Sequence, residues 1–240
     1  MRRDLAVRRT PIRTATAVKA AVVAAAFGGL IAGCAPVQMG AAATVGNDSI
    51  STSQLNSEVA NLTTAAKPYS SAVHLTDAQK PKDVLGWLIR FKVRDALAAK
   101  ENITITSSQR EQALENIYEQ AAQQAQQQGV NNVTLPELAV ANGLPPDLLN
   151  ELGRYQAIEI VYAQNHNGGK VPTSTATENA ITKQFNTAEC HVYKDDSVKV
   201  SPQYGKLDYS QYTVVASPDT LSAAGGAAPK TSSSGASPSC

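Results

Sequence analysis

Lys82-Asp-Val-Leu-Gly-Trp-Leu-Ile-Arg-Phe-Lys-Val-Arg-Asp-Ala-Leu-Ala-Ala-Lys100 is the stretch on which the fold class turns. Val84, Leu85, Leu88, Ile89, Phe91, Val93, Ala96 and Leu97 recur at helical intervals, with Trp87 among them, so the spacing predicts a long helix with a broad apolar face.

Working outward, the same period recurs on both sides. Ser51 and Gln54 have the spacing of a capping box, and Leu55, Val59 and Leu62 follow it, predicting a helix over about Thr52–Ala65. Thr106 and Gln109 open a second box ahead of Leu114, Ile117 and Ala121, in a helix that Gly129 stops. Its Gln- and Ala-rich end, from Ala121 to Gln128, reads as a solvated extension. Thr134 and Glu137 start a short helix ending at Gly143, and Pro146 suits the first turn of another that carries Leu149, Leu152, Tyr155, Ile158, Val161 and Tyr162. Thr173 or Ser174 caps a last helix through Ile181, Phe185 and Ala188, and beyond Cys190 the period is lost. Ala43 to Ser51, around Gly46-Asn-Asp48, reads as a small hairpin or turn. Val198 to Val200 suits a short strand, Tyr204 to Tyr212 a loop. The expected class is all-α, with a hairpin or turn at the start and an extended C-terminal segment.

At the N-terminus, Arg2, Arg3, Arg8, Arg9, Arg13 and Lys19 precede an apolar run from Ala20 to Leu30, and Ile31-Ala-Gly-Cys34 follows. This order resembles the lipobox signal of bacterial lipoproteins. The resemblance implies cleavage before Cys34, a diacylglyceryl group on its sulfur, and acyl chains such as palmitate as the anchor. The run is shorter than the roughly 20 residues that cross a bilayer core. Two acyl chains hold stably where one is marginal, each buried methylene contributing about 0.8 kcal/mol. The alternative is an ordinary secretory signal with an incidental cysteine. Arg8-Arg9 hints at twin-arginine export, although Thr10, Pro11 and Ile12 do not complete that context.

Removing residues 1–33 takes six of the 21 basic and one of the 20 acidic residues, which leaves the mature chain at a net charge of −4. A mildly acidic chain lacks the basic patch that nucleic acid demands, so no nucleic-acid partner is expected. The organisation read is a signal peptide at 1–33, a tether at 34–42, one domain at 43–212, and a Ser-, Gly-, Ala- and Pro-rich flexible tail at 213–240. Cys190 and Cys240 remain once Cys34 is lipidated. An even pair in an exported chain invites a disulfide, but Cys240 ends the tail and proximity cannot be read from spacing.

Catalytic and metal chemistry find no constellation. Cys190 and His191 are adjacent and point apart, with no third ligand at metal spacing. No serine sits in a Gly-x-Ser-x-Gly elbow, Gly46-Asn-Asp48 is turn chemistry, and Glu111, Glu115 and Glu119 suit exposed helical positions. No catalytic residue, metal or cofactor is expected.

Four segments carry a resemblance to a known family. They are Ala43-Thr-Val-Gly-Asn-Asp-Ser-Ile-Ser-Thr-Ser-Gln-Leu55, Val84-Leu-Gly-Trp-Leu-Ile89 with Ile103-Thr-Ile-Thr106, Gly143-Leu-Pro-Pro-Asp-Leu148, and Val198-Lys-Val-Ser-Pro-Gln-Tyr-Gly205 with Asp208. In order and spacing the first three resemble the N-terminal chaperone domain of the SurA family of extracytoplasmic foldases. The fourth is similar to the ending of actinobacterial lipoproteins of that type, from which Ser201, Gln203 and Leu207 depart. The resemblance spans most of 43–212 and implies a lipid-anchored protein on the extracytoplasmic face of the cell membrane that binds unfolded or newly exported polypeptides. The parvulin isomerase domain common in the family has no counterpart after Gly169. The alternatives are an unrecognised peptidyl-prolyl isomerase and a structural or assembly subunit of an envelope complex. Trp87, Phe91, Tyr155 and Tyr162 are candidates for an apolar groove, although their helical spacing fits a packed core better.

Overall fold

A computed structural model describes residues 40–71 and 73–217 of the chain. Six α-helices dominate these residues: α1 (Thr52–Ala66), α2 (Lys80–Lys100), α3 (Ser107–Gln127), α4 (Leu135–Ala141), α5 (Leu149–His166) and α6 (Thr175–Asp195). Short 3-10 turns lie at Lys67–Tyr69 and Pro146–Leu148. Five short strands complete the set: β1 (Ala41–Val45), β2 (Asp48–Ser51), β3 (Lys199–Val200), β4 (Lys206–Asp208) and β5 (Thr213–Val215). The fold is mainly helical with two small sheets.

The helix starts follow from local chemistry. Ser51 Oγ accepts from the Gln54 amide at 3.0 Å, and Thr106 and Gln109 form the reciprocal capping box ahead of α3. Thr134 and Ser174 cap α4 and α6 through the amides of Glu137 and Thr177. Pro81 occupies the first turn of α2, where its missing N–H costs nothing, so this helix begins at Lys80.

α2 is the axis of the core. Val84, Leu85, Leu88, Ile89, Phe91, Val93 and Leu97 are buried, and α1, α5, α6, β1 and β5 all pack on this one helix. Each fully buried Leu or Ile contributes about 1.5–3 kcal/mol relative to an exposed one. Low aromatic content is no handicap with an aliphatic core of this kind.

Three expectations need correction. α6 does not end near Cys190 but runs to Asp195, burying Val192 and Tyr193 in step with Ile181 and Phe185. Glu189 interrupts that stripe in the sequence, and its burial is explained only by its ionic partner. The domain also extends beyond the tether and tail boundaries read from the sequence: Ala41 and Ala42 belong to β1, and Thr213–Val215 forms β5 rather than tail. Alanine is a poor strand former, but Ala42 and Ala43 lie fully buried in β1, which packs on α1 and α2. The stretch read as a loop over Tyr204–Tyr212 contains β4, which pairs antiparallel with β5.

β1 is the middle strand of its sheet. It pairs antiparallel with β2 through the turn at Gly46 and Asn47, and antiparallel with β3 on its other side. Strands from both ends of the described chain therefore meet, and the Gly46 amide donates to the Asp196 carbonyl at the end of α6 at 2.6 Å. Gly205 stands at φ +124°, and a side chain there would overlap the Val215 carbonyl oxygen. That glycine lets the β4–β5 pair close. Among the described residues no helix is long and apolar enough to cross a membrane. Cys34 and Cys240 lie outside the described residues, as do the signal peptide and nearly all of the tail.

Candidate binding groove

α3 and α5 lie against each other over small residues. Ala113 and Ala157 are buried at the contact, and Gly153 faces Arg110 so closely that a Cβ would lie 2.7 Å from the Arg110 carbonyl oxygen. Beside this close approach the two helices leave a groove of about 680 Å³. A second cavity of about 240 Å³ continues it towards α6, with Gln156, Ile160, Gln164, Val171 and Glu178 lining both.

The groove has a two-part chemistry. Ala113, Ile117, Ala157, Ile160 and Val161 give it an apolar base, and carboxamides from Gln109, Gln112, Asn116, Gln120, Gln156 and Gln164 surround it. A side-chain amide offers both donors and an acceptor, so this rim can pair with either half of a peptide bond, except at Gln109, whose Oε1 is engaged by Thr106 in the α3 capping box. Val171, at 62 % exposure, stands at the junction of the two cavities as one of the two large hydrophobic residues that are exposed among those described. In the smaller cavity Ile181 and Phe185 of α6 join Gln156 and Gln164, next to the carboxylates of Glu159 and Glu178.

Glu159 is held from behind by a buried cation. Arg94 donates Nε to Glu189 at 2.8 Å and Nη1 to Glu159 at 3.1 Å, and Nη1 also reaches the Tyr155 carbonyl at 3.0 Å. Its guanidinium lies over the Tyr155 and Phe185 rings, 3.8 and 4.4 Å from their centroids. Burial works against the Arg94 charge, but Glu189, Tyr155 and Glu159 outweigh it and raise its pKa above the ordinary value. Burial also pushes the Tyr155 phenol up, against the lowering pull of Arg94. The result is a fixed charged plug under the smaller cavity.

The four aromatic candidates do not line one groove. Trp87, Phe91 and Tyr155 pack on one another with centroids 5.8–6.3 Å apart, and the Trp87 indole donates to the Asn142 carbonyl at 2.9 Å. Tyr162 lies elsewhere, stacked on His166 and edge-on to Phe185, and is buried like Phe91. Trp87 keeps some exposure and lines a separate apolar pocket of about 230 Å³ with Ile117, Leu138, Leu144 and Leu149. The aromatic residues thus serve packing first.

Cys190 is buried and disulfide-bonded. Cys240, the partner that the sequence leaves open, is outside the described residues, and neighbouring His191 is exposed. Among the described residues no three His, Cys, Asp or Glu side chains come together as metal ligands would.

Arg94 and the amides, apart from Gln109 in its capping box, were not singled out from sequence, yet the amides carry a readable signal. Gln109, Gln112, Asn116 and Gln120 recur at intervals of three, four and four, on one stripe of α3 beside Ala113 and Ile117. Arg94 has no such signal, since an arginine among apolar residues looks the same whether its partner is water or Glu189. Comparison of the chain with protein-family models, with curated proteins and with solved structures finds no match to any of them.

Proposed function

We propose that this protein is a chaperone-like binder of unfolded exported polypeptides, without isomerase chemistry, tethered to the extracytoplasmic face of the cell membrane by lipid on Cys34. The resemblance of its helical segments to the SurA chaperone domain motivates the reading. The observation that carries it is the groove between α3 and α5, with its apolar base and carboxamide rim. An unfolded chain presents one N–H and one C=O per residue together with scattered apolar side chains. Carboxamides satisfy the former without reading sequence, and burial of the latter against Ile117, Ile160 and Val161 supplies the driving force. Such binding needs no nucleotide and is reversible, because few contacts are specific.

The test is aggregation of a reduced exported client in the presence of the mature protein, residues 34–240. The mature protein is expected to delay aggregation, and Ile160→Ser with Gln156→Ala is expected to shorten the delay while the melting temperature stays close to the parent's. A mature protein that neither delays aggregation nor binds apolar peptides would overturn the reading.

A further inference from the structure

We propose that the α6 end of this groove selects extended segments in which an apolar residue stands next to lysine or arginine, an inference that rests on the groove's reading as a polypeptide site. Among the residues lining the two connected cavities the charged ones are Glu159 and Glu178, both acidic, and no Lys, Arg or His lines either cavity. Arg94 does not cancel them. It faces two carboxylates at once, Glu189 through Nε and Glu159 through Nη1, so the buried cluster carries an excess of negative charge. Glu159 keeps 36 % side-chain exposure, and Glu178 is exposed on the first turn of α6. Both carboxylates are therefore open to a ligand.

The wall beside them is apolar: Ile160, Val171, Pro172, Ile181 and Phe185. Charge and apolar surface next to each other match one chemistry in particular. The alkyl stem of lysine or arginine lies along apolar surface while its charged head reaches a carboxylate, and the neighbouring apolar residue of the client takes the remaining wall. An acidic client would meet Glu178 and a Glu159 whose charge Arg94, shared with Glu189, offsets only in part. A neutral one would leave both to water.

The experiment uses the mature protein and three peptides of one length that differ only beside a central leucine, where they carry Lys, Gln or Glu, with affinity read by fluorescence anisotropy. The order expected is Lys over Gln over Glu, with Lys bound about 2- to 10-fold more tightly than Gln at low salt and the difference reduced at high salt. Glu178→Gln, which leaves the Arg94 contacts in place, should narrow the Lys preference, and Glu178→Lys should tilt it towards the Glu peptide. Equal binding of all three peptides that Ile160→Ser abolishes would overturn the selectivity and leave the groove reading standing. Failure to bind any of the three would overturn both. A Lys preference unchanged in Glu178→Gln and in Glu159→Gln would place the selecting charge elsewhere and overturn the inference.

Discussion

Arg94 carries its charge into the helical core at 5 % exposure, and its neighbours make that tolerable. Glu189 is similarly buried at 8 %, so neither charge could stay unpaired without the full cost of desolvation. Arg94→Met is expected to destabilise the fold by about 3–5 kcal/mol, because it strands the Glu189 carboxylate. The double variant Arg94→Met with Glu189→Met should lose far less, and urea unfolding of both single variants and the pair measures the difference as a cycle. Equal losses in all three would show that packing, not charge, dominates there. A second residue acts through pH. Burial raises the Glu58 carboxyl above its ordinary 4.5, helped by Asp147 and Glu151 and opposed by the hydrogen bond from Asn61. A carboxyl raised on folding holds its proton more tightly in the folded chain, so stability falls as pH climbs from the ordinary value through the folded one. Glu58→Gln should therefore melt higher than the parent at neutral pH and lose that advantage at about pH 3, where both carry no charge there.

Element by element, what could be read depended on how local the cause was. The side-chain caps at Ser51, Thr106 and Thr134, of which Thr106 with Gln109 is a full capping box, involve residues three apart, so α1, α3 and α4 start where their sequences say. The end of α6 was hidden because Glu189 breaks the apolar stripe, and only α2, from which Arg94 projects, explains a buried glutamate there. β4 and β5 are three residues each, too short for alternation to be distinguished from loop. The contact of α3 with α5 gives a test at this scale. Gly153→Ala should cost about 1–3 kcal/mol, since the new methyl meets the Arg110 backbone and neither helix can yield without disturbing the groove. Urea unfolding measures it, and a change below about 0.5 kcal/mol would mean that the helices move apart freely.

At the scale of the whole molecule, the two ends of the described chain are tied into one body. β3 docks on β1, the Ser201 amide donates to the Ala42 carbonyl at 2.8 Å, and Lys100 pairs with Asp196 at 3.2 Å. Tyr193 of α6 stacks on Tyr212 with centroids 4.2 Å apart, which ties the second sheet to the helices. The lipidation proposed at Cys34 gives the test at this scale. Cys34→Ala is accordingly expected to move the protein from the membrane fraction to the soluble extracytoplasmic fraction with its helical circular dichroism unchanged. Membrane retention of that variant would contradict the lipid anchor. By itself the sequence determined the helical class, the positions of most helix starts and the axis helix over about 82–100, because period and capping act between residues a few positions apart. Only the tertiary structure decided that Arg94 meets Glu159 and Glu189, that alanines make the central strand, and that the amide stripe of α3 borders a groove. Each of these depends on which surfaces, distant along the chain, are brought together to exclude water, and spacing within one element carries no record of that.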